Sequence, residues 1–201
     1  MKTIFQKFTV KILLWILKSS EIAKFDGIVL ADPRNRDNRT PHFQEIIFAA
    51  LQLLKATDRC RYARVRRRLA WVTYARLAIR GSAEYAHSTR TCSIDLLEPS
   101  ADYAPDFLAG WYASILVHEA THGEIASRGI QYSLEHRVRI ERLCVIQEQK
   151  FIKRLAVNNP TLAAHLHYEF DAANWNWSWN ATRWERLKIE MRRILFLGKD
   201  P

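Results

Sequence analysis

Apolar residues Phe43, Ile46, Ile47, Ala50, Leu51 and Leu54 recur every three or four positions, and Thr40-Pro41 supplies a cap and a first-turn proline, so this spacing predicts a helix. Between Leu69 and Leu97 the pattern changes. β-Branched and aromatic residues dominate, as in Trp71-Val72-Thr73-Tyr74 and Thr91-Cys92-Ser93-Ile94-Asp95-Leu96, and Gly81 with scattered Ser and Thr divides them into two or three strands. The run Gly27-Ile28-Val29-Leu30-Ala31 fits another strand, and the polar stretch from Asp32 to Thr40 reads as a loop. After the Glu98-Pro99-Ser100 and Pro105 breaks, helical spacing returns from Phe107 to Ser127, where Gly129 stands near the cap position. A third helix is expected from about Ser133 to Leu155, ending before Asn158-Asn159-Pro160, and at least one more from Arg183 onward. The predicted fold class is α+β: a small, mostly antiparallel sheet packed against the helices at 107–127 and 133–155, with helical N- and C-terminal extensions.

A chain of 201 residues, 48% of them hydrophobic, can bury one ordinary core. We therefore expect a single domain over 1–201, with an N-terminal arm (1–40), a main body (41–157) and a C-terminal helical extension (158–201). In residues 1–20, Lys2 and Lys7 precede the apolar run Ile12-Leu13-Leu14-Trp15-Ile16-Leu17, as in a signal peptide. Lys11 and Lys18, however, confine that run below membrane-spanning length, and Ser19-Ser20-Glu21 offers no Ala-x-Ala cleavage site. An amphipathic helix docked on the domain is the expectation, with an anionic membrane surface as its alternative partner. Cys60, Cys92 and Cys144 form no CxxC pair, which points to a reducing cytoplasm. The net charge of +10, concentrated at Arg59 to Arg68 and Arg183 to Lys199, fits either solvated helix faces or an acidic partner such as nucleic acid.

The segment His118-Glu119-Ala120-Thr121-His122 carries the candidate chemistry. On a helix, His118 and His122 lie one turn apart on one face, so both imidazoles can reach a single ion, and Glu119 can touch a water on that ion. Zinc brings the pKa of such a water toward neutrality, and the glutamate can then take its proton as the water attacks a carbonyl. Trp111, Ile115, His118, His122 and Ile125 share one face, so the histidines fall in the apolar stripe. Two histidines leave a catalytic zinc one protein ligand short. Downstream, Leu134, Val138, Glu141, Val145, Glu148, Ile152 and Leu155 form one stripe in which two carboxylates interrupt an apolar face. A buried carboxylate needs a cation or hydrogen-bonding partners, so Glu141 and Glu148 are both candidates for the third ligand or for a buried salt bridge to an arginine.

Residues 115–141 resemble the gluzincins, thermolysin-like zinc peptidases in which a His-Glu-x-x-His helix is followed about twenty residues later by a glutamate ligand on a second helix. Glu141 stands nineteen residues after His122. The resemblance is greatest to the minimal, minigluzincin end of that group. It implies a Zn²⁺ ion held by His118, His122 and Glu141, Glu119 as general base, Tyr132 as an electrophilic helper, and a peptide or protein substrate paired with the strand at Thr91 to Leu96. Glu124 departs from the family pattern, which has an apolar residue there. The metzincin pattern is excluded, because Arg128 stands where its last histidine would fall and Ile125 replaces its glycine. The alternative function is a basic nucleic-acid-associated protein with a structural or vestigial zinc site.

The remaining motifs have ordinary readings beside functional ones. Trp175-Asn176-Trp177-Ser178-Trp179, with Trp184 beyond, either packs a terminal segment or lines a cleft. His165 and His167 are read as surface residues before transition-state donors, His136 as five residues from Glu141 and so poorly placed to orient a ligand, and Cys144 as a small core residue near Glu141.

Overall fold

A dipeptide in the N-terminal arm determines how the sheet begins. Asp26 (φ 47°) and Gly27 (φ 88°) both take positive φ, the conformation of a type I′ hairpin turn, whose twist matches that of the strands it joins. The turn connects β1 (Glu21–Phe25) to β2 (Ile28–Ala31), which pair antiparallel. β1 adds a strand to those the pattern predicts. The computed structural model describes residues 2–33, 39–75, 77, 82–97 and 104–170, the side chains of residues 2–7 excepted.

Helix α1 (Lys2–Ser19) precedes the hairpin. Its Leu17 packs with Ala31 and Trp71, and Leu14 joins them, so the helix docks on the domain as expected. α2 (Thr40–Thr57) buries the six predicted apolar positions and carries Pro41 in its first turn. α3 (Arg59–Arg68) follows after one residue. That residue, Asp58, is fully buried, accepts the Arg61 backbone N–H at 3.1 Å as the helix cap, and pairs with the guanidinium groups of Arg61 and Arg154.

Three short strands come next: β3 (Trp71–Tyr74), β4 (Ala83–Ala86) and β5 (Thr91–Ile94). The sheet order is β1-β2-β3-β5-β4. β3 runs parallel to both β2 and β5, while the outer pairs β1/β2 and β4/β5 are antiparallel. The sheet is therefore mixed, not mostly antiparallel. The long α2–α3 crossover between β2 and β3 returns the chain in the same direction, and the β4 hairpin does the same for β5. β5 also lies between two neighbours, which corrects the expectation that Thr91 to Leu96 forms an edge. The edges are β1 and β4.

Helix α4 (Pro105–Ala126) is nearly surrounded, packing against α2, α3, β4, α5 (Arg137–Asn158) and α6 (Pro160–Leu166). α5 starts later than predicted because Ser133 to His136 form a turn, the Ser133 carbonyl accepting from the N–H groups of His136 and Arg137 at 3.1 and 2.9 Å. The main core joins α2, α4, the C-terminal half of α5 and α6 with the sheet, through Phe43, Leu51, Val72, Ile94, Tyr112, Leu116 and Phe151 among others. The compact unit runs to Tyr168, past the boundary expected at 157, because Leu162, Ala163 and Leu166 of α6 belong to this core. The tryptophan-rich run at 175–184 and the helix predicted from Arg183 fall outside the described residues. Among the described residues, no helix is long and apolar enough to cross a membrane.

Candidate metal centre

Because α4 is packed on almost every side, its polar residues need partners inside the protein. His118 and Glu119 are 8% and 6% exposed, and Glu141 and Glu148, on the facing side of α5, are each 3% exposed. From Glu141 to Glu148, the stripe of α5 that the sequence marks as apolar with two carboxylates is thus turned toward the His-Glu-x-x-His helix, whereas Leu134, expected at its head, lies in the turn before α5 and is exposed. The structure brings His118, His122, Glu141, Glu148 and Tyr132 into one cluster.

One oxygen of Glu141 organises it. Oε2 lies 3.1 Å from His118 Nε2 and 3.6 Å from His122 Nε2, and the two rings are 4.9 Å apart by their centroids. Ligand atoms about 2.0–2.1 Å from a tetrahedral zinc sit roughly 3.3 Å from one another, a separation close to both distances from Glu141 Oε2 to the imidazole nitrogens. The other oxygen, Oε1, accepts a hydrogen bond from the Tyr132 hydroxyl at 2.5 Å. Tyr132 also meets the His122 ring edge-on, with centroids 5.5 Å apart. Its phenol therefore reaches the cluster by holding Glu141.

Glu148 occupies a different place. Its Oε1 meets His118 Nδ1, on the far side of the ring from Glu141, and its Oε2 accepts from the Tyr168 hydroxyl at 2.9 Å. A carboxylate on Nδ1 fixes the tautomer and turns Nε2 toward Glu141, the arrangement usual behind a metal-binding histidine. Among the described residues, the hydrogen-bonding partners of both α5 carboxylates are imidazoles and phenols, in place of the arginine pairing weighed from the sequence. Tyr168, in the segment after α6, carries no pattern in the sequence that would have singled it out.

The electrostatics follow from crowding. Burial acts to lower the His118 pKa, but Glu148 and Glu141 outweigh it and hold the ring protonated well above the usual histidine range. Burial acts to raise Glu141, but hydrogen bonds from His118 and His122 outweigh it and keep the carboxyl well below the usual range. Glu119 is raised by burial, offset only in part by the two histidines. With neutral rings, Glu119, Glu141 and Glu148 would leave three buried negative charges beside two imidazoles. A divalent cation would relieve that excess, and the residues present fit one.

A thiol adds a fourth donor. Ligand atoms of His118, His122 and Cys144 lie within 4.8 Å of one another. Cys144 is fully buried beside Ile125 and Ile140, and burial followed by the neighbouring carboxylates pushes its thiol pKa up. It sits on the Glu141–Glu148 face of α5, one turn from each.

Around the cluster, the fold explains two departures from expectation. Glu124, where an apolar residue is usual in the resembled helices, pairs with Arg68 at 2.8 Å, Arg67 at 3.2 Å and Arg128 at 3.1 Å, which ties the end of α4 to α3. Gly123, next to His122, lets β4 approach: a Cβ there would stand 2.8 Å from the Tyr85 hydroxyl and 3.0 Å from Arg68 Cβ. The free edge β4 is thereby the strand held against α4. His165 and His167 are exposed, as read from the sequence, and so is His136. No protein-family model, curated protein or solved structure matches the chain.

Proposed function

We propose that this chain is a zinc-dependent hydrolase, and specifically a metallopeptidase, in which His118, His122 and Glu141 hold Zn²⁺. The observation that carries the reading is the position of Glu141 Oε2, 3.1 and 3.6 Å from two Nε2 atoms of a His-Glu-x-x-His helix. When bound, zinc acts as a Lewis acid toward a carbonyl oxygen and makes water more acidic. Glu119 takes the proton of the attacking water and passes it to the leaving amine. Glu148 orients His118, and Tyr168 orients Glu148. Tyr132 holds Glu141 through its single phenol proton, and it becomes a donor to a developing oxyanion only when bound substrate draws it from that carboxylate. A peptide in extended form would add to the β4 edge, the substrate strand expected at Thr91 to Leu96 being interior. The three free cysteines fit a reducing cytoplasm.

The thiol of Cys144 favours a second reading: a closed site in which Cys144 supplies a protein ligand and the metal is structural, within a basic nucleic-acid-associated protein. The test is a peptide-library digestion by zinc-loaded protein, read as new termini by mass spectrometry, beside Glu119→Gln. Cleavage by the wild type, reduced at least ~100-fold in a Glu119→Gln protein that keeps its zinc, supports the peptidase. Stoichiometric zinc without cleavage, together with oligonucleotide binding that falls steeply with salt and survives Glu119→Gln, supports the second reading.

A further inference from the structure

Helix α1 has two apolar faces, and the fold uses one. Val10, Leu14 and Leu17, spaced four and three residues apart, form the inner face: Leu14 and Leu17 pack with Ala31 and Trp71, and Val10 is half-buried. Phe8, Ile12 and Trp15 repeat the same spacing and are 61%, 43% and 69% exposed. At about 100° per residue, these three fall within an arc of roughly 60°, opposite the side that carries Val10 and Leu17. Exposed Leu13 adds to the apolar surface. Scattered apolar residues on a surface are ordinary, but an aligned stripe of large ones is not.

Charge indicates what covers it. Residues 1–20 contain Lys2, Lys7, Lys11 and Lys18 and no Asp or Glu. Lys11 and Lys18 are exposed and sit seven residues apart along one shoulder of the Phe8–Ile12–Trp15 stripe. An acidic protein groove would be met by charge alone and does not require the tryptophan. A bilayer interface accepts both parts at once: aromatic and aliphatic side chains enter the boundary between headgroups and acyl chains, while lysines extend to anionic headgroups. The helix of 18 residues is roughly 27 Å long, and it is neither long nor apolar enough to cross a membrane, so it would lie in the plane.

We propose that α1 is an interfacial helix that seats this protein on an anionic lipid surface through Phe8, Ile12 and Trp15, flanked by Lys11 and Lys18. The inner stripe keeps the helix attached to the sheet, so docking on the domain and docking on lipid occur together. This inference is independent of the metal centre.

The experiment is co-sedimentation of the full chain with vesicles of phosphatidylcholine alone and of phosphatidylcholine with phosphatidylglycerol. The wild type is expected to sediment with the anionic vesicles and to be released by salt. Phe8→Ser, Ile12→Ser and Trp15→Ser combined alter only exposed side chains, and should weaken partitioning at least roughly tenfold with an unchanged circular dichroism spectrum. Lys11→Glu with Lys18→Glu should weaken it by at least roughly fivefold per lysine. Failure of the wild type to sediment with anionic vesicles would overturn the proposal, as would equal binding by the triple serine variant. A wild-type dimer that the triple variant converts to monomer, with no lipid binding by either, would assign the stripe to a second copy of the chain instead.

Discussion

Glu148 meets His118 at Nδ1, so it cannot share an ion with the Nε2 of the same ring. Glu141 meets that Nε2 at 3.1 Å. Two carboxylates that the sequence places on one helical stripe therefore have different tasks, and substitutions should separate them. Glu148→Ala is expected to weaken zinc binding by roughly 10- to 100-fold while leaving a measurable site, as for a residue that orients a ligand. Competition titration against a fluorescent chelator reads this directly. Abolition of binding equal to that in Glu141→Ala would make Glu148 a ligand.

Tyr132 differs from Glu148 in holding Glu141 itself, through Oε1, the oxygen other than the one that meets the imidazoles. Tyr132→Phe removes one hydrogen bond to a charged group, worth about 1.5–3 kcal/mol where it is fully formed. The expected result is a zinc affinity lowered by roughly ten- to a hundredfold in the same titration. Unchanged affinity with a reduced turnover would instead make the phenol a donor to substrate alone.

Cys144→Ser distinguishes the two ligand sets. With Glu141 as the third ligand, the serine protein should keep near-stoichiometric zinc, and cobalt-loaded wild type should lack thiolate-to-metal charge-transfer absorption. Loss of zinc in Cys144→Ser, or such absorption in the wild type, would establish the closed His118–His122–Cys144 arrangement.

Glu124 links the end of the site helix to α3 and gives a pH dependence of known sign. Its pKa is lowered to about 2, chiefly by the hydrogen bond from Arg68, against about 4.3 for an unfolded glutamate. A group whose folded pKa is depressed contributes stability that is complete above the unfolded pKa and is lost as pH falls through the folded one. Thermal melts should therefore decline between about pH 4.5 and 2, and Glu124→Gln should be less stable at neutral pH and decline less over that window. Parallel declines in the two proteins would show that Glu124 does not contribute this term.

Much of the site was legible because helical period converts directly into shared faces. The spacing of His118, His122, Glu141 and Glu148 was enough to align two helices before any contact was known. It did not separate the roles of Glu141 and Glu148, which are seven residues apart on one stripe and differ only in which ring nitrogen they reach. Tyr168 lies in an unpatterned segment after α6, so only tertiary structure brings it to Glu148. Strands β3 and β5 were readable from their composition, whereas the parallel order of β2, β3 and β5 was not, since alternation says nothing about neighbours. Asp26-Gly27 is a dipeptide signal for the β1–β2 hairpin, weakened in sequence by the polar and charged residues of β1. α3 was hidden by its arginines: in Arg59–Arg68 only Tyr62 and Val65 mark a buried apolar stripe.

If His118, His122 and Glu141 together hold zinc, the metal content of the purified protein depends on each of them. Elemental analysis of the wild type, His122→Ala and Glu141→Ala should give close to one zinc per chain in the first and almost none in the other two, with all three folded by circular dichroism. A folded wild type that takes up no zinc, or a Glu141→Ala protein that retains it fully, would show that these three residues do not form a zinc site.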